Sequence, residues 1–260
     1  MARQLFVSRL DRKLLLSERA QCFHLEFTAP DLPAFDFVPG QFISMVAEDK
    51  NGKQQTRAYS IASAPSANKF DLCVNRVEGG FFSNLLCDLE PGDEVQFHGP
   101  HGLFTLRKPL TDCIFIATGT GIAPMRGFAE HLFPESGEDR SEGRGIWLVY
   151  GTRHETEIYY QKYFEKLAAE RSNFHYLSTL SRPHEGWEGL RGYVQDHVSE
   201  IVNRRAQENH RAPVVSTIAE GGGFDIHAYI CGLNDMVSGN RDRLMQLGWE
   251  RKQVIFERYD

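Results

Sequence analysis

The feature that most constrains this chain is a change of texture near Lys108-Pro109. Ahead of it lie short runs in which apolar and polar residues alternate. Cys22-Phe23-His24-Leu25-Glu26-Phe27, Gln41-Phe42-Ile43-Ser44-Met45-Val46, Phe70-Asp71-Leu72-Cys73-Val74 and Glu94-Val95-Gln96-Phe97 are examples, with turns at Pro39-Gly40, Asn51-Gly52 and Pro91-Gly92 between them. A period of two belongs to a strand with one buried face, and many short strands at this spacing predict a small antiparallel barrel. One helix is expected within it, over residues 82–89. Beyond Pro109 the apolar runs are continuous: Cys113-Ile114-Phe115-Ile116-Ala117, Gly145-Ile146-Trp147-Leu148-Val149-Tyr150 and Ala228-Tyr229-Ile230-Cys231. Helical periods separate them over residues 158–171 and 239–247. Strands apolar on both faces, alternating with helices, make a parallel sheet covered on both sides. The expected fold is therefore two-domain, β plus α/β, with a barrel over residues 1–107 and a parallel-sheet domain over 108–260. Residues 133–143 are polar and read as a mobile loop, and 203–223 read as similarly irregular.

At 260 residues the chain has room for both domains, and its net charge of -6 opposes a general nucleic-acid binder, which needs a basic excess. The five cysteines are odd in number and never spaced C-x-x-C, a pattern of neither a disulfide framework nor a zinc or iron-sulfur site. Reduced thiols and a cytoplasmic location are expected, with any metal cluster on another protein. No apolar run reaches the length of a membrane span, and Met1-Ala2-Arg3-Gln4-Leu5 leads into no signal-peptide core. A monomer is expected.

Six stretches carry chemistry. Arg57-Ala58-Tyr59-Ser60-Ile61-Ala62-Ser63 sets a cation, a flat ring and a hydroxyl within four residues. On a strand, Arg57 and Tyr59 share one face and Ser60 takes the other, an arrangement that suits a charged planar ligand or, equally, an ordinary edge strand. Gly79-Gly80-Phe81-Phe82-Ser83 precedes the helix of the first half, where glycines let backbone N–H groups approach an anion; a glycine turn with Ser83 as a cap is the alternative. Thr118-Gly119-Thr120-Gly121-Ile122-Ala123-Pro124 follows the first apolar strand of the second half, the strand–loop–helix geometry that cradles a pyrophosphate. Pro124 stands where a dehydrogenase fingerprint would have its third glycine. Ser181-Arg182 and Arg191-Gly192-Tyr193 offer two guanidiniums, a hydroxyl and a phenol, suited to a phosphate monoester or to a solvated polar loop. Cys231-Gly232 ends an apolar strand, where ligands meet open parallel sheets, and Val254-Ile255-Phe256-Glu257-Arg258-Tyr259-Asp260 is a last strand bearing a carboxylate and a ring.

Taken in order, these motifs resemble the ferredoxin-NADP+ reductase family across nearly the whole chain. Arg57-Ala58-Tyr59-Ser60 is similar to its R-x-Y-S flavin motif, Gly80-Phe81-Phe82-Ser83 to its G-x-x-S, and Gly99-Pro100-His101-Gly102-Leu103-Phe104 to its G-P-x-G-x-F. Gly119-Thr120-Gly121-Ile122-Ala123-Pro124 resembles its G-T-G-I-A-P loop, and Cys231-Gly232-Leu233 its C-G-L segment. The resemblance implies an FAD-binding antiparallel barrel followed by an NADP-binding α/β domain. It implies that Arg57, Ala58, Gly80, Phe81, Phe82 and Ser83 hold FAD, that Tyr59 stacks on the flavin, and that Ser60 bonds near its N5. It gives Thr120 and Gly121 to the coenzyme, and Ser181, Arg182, Arg191 and Tyr193 to the 2′-phosphate of NADP. Ser60, Cys231, Glu257 and Tyr259 are the implied catalytic set, with Tyr259 also an aromatic lid. Plant-type members end on that tyrosine, whereas Asp260 follows it here. The implied activity is hydride transfer between NADP(H) and flavin and single-electron exchange with ferredoxin or flavodoxin. A reductase of an oxygenase or other redox chain, and a non-catalytic nucleotide-binding regulatory subunit, remain alternatives. Arg3, Arg9, Arg12 and Lys13 offer a basic face to an acidic partner, or simply to solvent.

Overall fold

The computed structural model describes residues 4–208, 217–218 and 223–259. Two compact units divide the chain: Met1–Leu106 with Ala123–Arg140, and Arg107–Ile122 with Ser141–Asp260. The first unit holds β1 (Phe6–Ser17), β2 (Cys22–Thr28), β3 (Phe42–Glu48), β4 (Gln54–Ser60), β5 (Lys69–Asn75), α1 (Phe81–Asp88) and β6 (Glu94–His101). From later in the chain it also takes all but the first residue of α2 (Ile122–Leu132). Its strands form one antiparallel sheet in the order β4-β3-β6-β1-β2-β5. Just past β4, Ile61 bridges Leu72 of β5, so the two ends of the sheet meet and the barrel closes. Every second side chain points inward, and Leu10, Leu25, Ile43, Phe70, Leu72 and Phe97 are fully buried there. Phe35 stands edge-on to Phe70 and Phe97, at 5.5 and 5.3 Å, in a core where each such ring contributes roughly 1.5–3 kcal/mol by burial.

The second unit contains β7 (Asp112–Thr118), β8 (Ile146–Thr152), α3 (Gln161–Glu170), β9 (Phe174–Leu180), β10 (Leu190–Arg191), α4 (Val194–Glu208), β11 (Thr217–Ile218), β12 (Gly223–Phe224), β13 (Ile226–Leu233), α5 (Asn234–Gln246) and β14 (Val254–Tyr259). Its main sheet is parallel, ordered β10-β9-β8-β7-β13-β14, with β11 and β12 a separate short antiparallel ladder. Ile114, Ile116, Val149, Ala228 and Ile230 point to one face and pack with Val194, Val198 and Ile201 of α4 and Val237 and Leu244 of α5. On the other face Phe115 meets Tyr229 at 5.7 Å, and Phe164 of α3 lies 5.4 Å from Tyr176. Burial on both faces is why β7 and β13 read as unbroken apolar runs.

The barrel and the parallel sheet are as the sequence predicts, with three local corrections. Residues 203–208 are not irregular: α4 continues through them, because Ile201, Val202 and Ala206 keep facing the sheet. Residues 209–216 and 219–222 of that stretch, together with Arg3 and Asp260, lie outside the described residues. Helix α3 starts at Gln161 rather than 158, since Tyr160 takes a left-handed conformation (φ 57°) that a helix interior does not permit. Helix α5 starts directly after β13, at Asn234 rather than 239, and already buries Met236 and Val237 in its first turn. Residues 133–143 contain no helix or strand, although Ser141 within them is buried. The basic residues near the amino terminus are paired: Arg9 with Asp11, Arg12 with Glu26, and Lys13 with Glu90.

Candidate functional site

Strand β4 pairs with β3, setting Arg57 opposite Met45, Ala58 opposite Ser44, Tyr59 opposite Ile43 and Ser60 opposite Phe42. Arg57 and Ala58 are exposed, Tyr59 is half-buried and Ser60 is buried, so cation and ring present one face while the hydroxyl turns inward. Burial holds the Tyr59 phenol well above its ordinary pKa, against the opposing pull of the Arg57 cation on the same face. Tyr59 is therefore a neutral, flat surface beside a permanent positive charge.

Gly79-Gly80 turns the chain into α1, whose first turn carries no side-chain cap. The N–H groups of Phe81, Phe82 and Ser83 have no partner inside the helix, and such a terminus suits a phosphate. The Ser83 side chain is buried, and its Oγ accepts the Val77 N–H at 3.1 Å, which clamps the glycine turn from beneath. Asn84 adds a bond from Nδ2 to the Val77 carbonyl at 3.0 Å, and Arg76 ties Asn84 to Asp88. This built turn and uncapped helix start fit a dinucleotide phosphate.

A third feature of this unit is absent from the motif pattern. Arg126 of α2 donates Nη1 to the Ala62 carbonyl at 2.6 Å and to Asp71 at 3.0 Å, and reaches Glu130 with Nη2 at 2.6 Å. Glu130 in turn accepts the Ala64 N–H at 3.0 Å, and Ser63 Oγ accepts that of Asp71. Residues 61–64, which leave Ser60, are thus bolted to the helix. Gly127 permits the approach, since a Cβ there would lie 2.9 Å from the Ser63 carbonyl oxygen. Burial raises the Asp71 and Glu130 pKa values, with Arg126 opposing in both cases. His24 lies 3.5 Å from both Glu26 and Asp71. Its burial, with the Arg126 and Arg12 guanidiniums, outweighs those carboxylates and pushes its pKa down to about 3.

In the second unit the connections run from β7 toward β8 on one side, while β13 occupies the other. The carboxyl ends of β7 and β13 therefore flank a topological switch point, where open α/β sheets bind ligands. Gly119–Gly121 make a tight turn there, with Tyr150 Oη donating to the Gly119 carbonyl at 3.0 Å. Thr120 is half-exposed and Gly121 buried. Gly121 packs so closely on β13 that a Cβ would sit 2.2 Å from the Cys231 carbonyl oxygen, a cradle that excludes any side chain. Cys231 is 0% exposed, opposite Ala117 on β7 and Glu257 on β14, and Tyr259 stands opposite Leu233. These registers bring Cys231, Glu257 and Tyr259 to one face of adjacent strands. Burial raises the Cys231 thiol pKa and the Glu257 charge adds to it, while a hydrogen bond with Tyr259 acts the other way. The thiol is neutral at physiological pH, a small donor rather than a nucleophile. Ser60, the fourth residue of the expected catalytic set, belongs to the first unit.

Ser181 and Arg182 follow β9, and β10 runs parallel to it with Arg191 opposite Leu180. This register brings Ser181-Arg182 and Arg191-Gly192-Tyr193 together at one sheet edge. Arg182, Arg191 and Tyr193 are exposed, and Ser181 is half-buried. Arg191 donates to the carbonyl oxygens of Trp187 and, at 3.5 Å, Glu185. Two guanidiniums, a hydroxyl and a phenol at one edge fit a phosphate monoester.

Residues 8–106 match the oxidoreductase FAD-binding domain family, and residues 115–242 the oxidoreductase NAD-binding domain family. The chain is 40% identical over 241 residues to ferredoxin–NADP reductase B of Sorangium cellulosum, covering 91% of each. This chain belongs to the ferredoxin–NADP reductase family. Another member, from Synechocystis, is 33% identical over 240 residues, and the match spans 83% of this chain and 54% of that protein. A solved ferredoxin-NADP+ reductase of Plasmodium falciparum superimposes with a TM-score of 0.78 at 22% identity, covering 98% and 97% of the two chains, a likeness of fold. Family membership makes this chain an oxidoreductase that uses FAD and a pyridine nucleotide, and the two built nucleotide cradles fit both groups. No helix among the described residues is long and apolar enough to cross a membrane.

Proposed function

We propose that this chain is a ferredoxin/flavodoxin–NADP+ reductase, exchanging hydride with NADP(H) and single electrons with a small carrier protein. The observation that carries the reading is the pair of cradles, one in the unit that matches FAD-binding domains and one at the switch point of the unit that matches NAD-binding domains. When bound, FAD supplies the exchange between the two-electron chemistry of nicotinamide and the one-electron chemistry of the carrier. In this reading Arg57 and the N–H groups that open α1 bind the flavin diphosphate, with Ala58, Gly80, Phe81, Phe82 and Ser83 shaping the path. Tyr59 supplies the stacking surface. Ser60 holds a proton at flavin N5, and Glu257 carries protons for the same step. Thr120 and Gly121 hold the coenzyme pyrophosphate. Neutral Cys231 positions the nicotinamide, and Tyr259 is the aromatic residue the nicotinamide replaces. Ser181, Arg182, Arg191 and Tyr193 take the 2′-phosphate and so select NADP over NAD. A monomer located in the cytoplasm completes the reading.

The test is rapid-mixing reduction of the bound flavin by NADPH in Ser60→Ala and Cys231→Ser. Each variant should retain FAD and slow reduction by about 10–100-fold. Wild-type rates in both would remove these residues from the chemistry.

A further inference from the structure

We propose that His197 is a positioning residue for coenzyme selection, holding the backbone of the Arg191-Gly192 turn from inside the domain. The inference rests on the reading of Arg191 as a 2′-phosphate ligand, and it concerns a residue that no motif points to. Strand β10 is only two residues long, both exposed, and its ladder to β9 consists of Leu190 with Thr179 and Arg191 with Leu180. A surface strand this short has little cooperative support of its own. Two carbonyl groups tie it inward. Thr179 Oγ1 donates to the Gly192 carbonyl at 3.1 Å, and His197 Nε2 lies 3.1 Å from the Arg191 carbonyl and 3.1 Å from Thr179 Oγ1. Thr179 is 1% and His197 8% exposed, so both anchors are dry.

The partners fix which ring atom donates. A carbonyl oxygen can only accept, so Nε2 must carry the hydrogen that reaches Arg191. The Thr179 hydroxyl hydrogen is committed to Gly192, which leaves its lone pair to accept from the same Nε2–H. His197 thus presents Nε2–H to both groups, and Nδ1 makes no hydrogen bond among the described residues, with Glu200 3.9 Å away. On the outer side, the Arg191 guanidinium is drawn back onto the Trp187 and Glu185 carbonyls. The residue is held at both ends, by its own carbonyl from within and by its guanidinium from without. A flexible cation that is pre-ordered loses less freedom when a phosphate docks, and that saving appears as affinity for the phosphate-bearing coenzyme alone.

Glutamine and asparagine separate this role from simple packing, because both fill the site. The amide nitrogen of Gln reaches about as far as imidazole Nε2, whereas that of Asn stops near Nδ1. Steady-state kinetics on the FAD-loaded full chain, with NADPH and with NADH, should show the KM for NADPH raised about tenfold in His197→Ala and His197→Asn. The KM for NADH should move less than about twofold, and His197→Gln should recover most of the NADPH affinity. The inhibition constant of 2′,5′-ADP should follow the NADPH KM, and that of 5′-AMP should not. Equal losses with both coenzymes, or a His197→Gln as impaired as His197→Asn, would overturn the proposal. Arg191→Ala keeps the two readings apart. If it leaves the ratio of the NADPH KM to the NADH KM unchanged, the phosphate site itself is wrong and the inference falls with it; if it raises that ratio while the His197 variants do not, only the positioning role is lost.

Discussion

Replacing Gly121 with alanine should disable the nucleotide loop while leaving the flavin unit intact. The new Cβ would lie 2.2 Å from the Cys231 carbonyl oxygen, 2.6 Å from its carbon and 3.0 Å from the Gly232 nitrogen. An ordinary carbon–oxygen contact is about 3.3 Å, so something must move by about 1 Å. It cannot be β13, whose residues around Cys231 are paired with β7 on one side and β14 on the other. The loop must yield instead. Overpacking against rigid backbone costs about 1–3 kcal/mol. Thermal unfolding should fall by roughly 2–4 °C for each of those kilocalories in a chain of this size. A shift of about 1 Å at a coenzyme-holding turn is enough to lower kcat/KM for NADPH by about 10–100-fold. The assay is kcat/KM for NADPH in a dye-coupled reaction, alongside flavin content from the visible spectrum and the melting temperature. Wild-type kcat/KM, or loss of FAD with coenzyme affinity retained, would refute the packing argument.

His24 gives a pH prediction. Its folded pKa of about 3 lies below the unfolded value of 6.5, so the unfolded chain takes up the proton first. Its contribution to stability is complete above pH 6.5 and is lost as the pH falls toward 3, at no more than about 1.4 kcal/mol per pH unit. The raised carboxyls of Asp71 and Glu130 work in the opposite sense, gaining stability as they protonate, so the comparison should be with His24→Gln. Urea unfolding at pH 7 and pH 5 should show a steeper acid loss in the wild type, and parallel losses would count against a neutral buried imidazole. Arg126→Met should destabilise the chain by about 1–3 kcal/mol, between exposed and buried ion pairs, by stranding Asp71 and Glu130. Arg126→Lys should recover only part of this, since one ammonium cannot reach the Ala62 carbonyl, Asp71 and Glu130 together with a guanidinium's fork geometry; full recovery in chemical denaturation would show that charge alone matters.

Strands were legible wherever burial imposed a period. Cys22 to Phe27 alternates because one face lines the barrel, and Cys113 to Ala117 does not because both faces of β7 are covered. Helix limits were less legible. The buried face of α5 carries Asn240 between Met236-Val237 and Leu244, which interrupts its apolar repeat, and Asn203-Arg204-Arg205 conceals the continuation of α4. Motif residues could be found because each sits on a strand end or a glycine turn whose local sequence is constrained. Arg126 and His197 could not. Arg126 meets Ala62 and Asp71 across 64 and 55 residues, and His197 meets Thr179 across 18, so their roles exist only once the sheet and helices are assembled. The same holds for Gly121, recognisable as part of a loop but not as the point where that loop rests on Cys231.

The most direct test of the central claim is anaerobic titration of the purified chain with NADPH, followed in the visible spectrum. A yellow protein whose flavin absorbance bleaches at stoichiometric NADPH, and returns on adding oxidised ferredoxin or flavodoxin, is the predicted result. A colourless protein, or a flavin spectrum that excess NADPH leaves unchanged, would contradict the account.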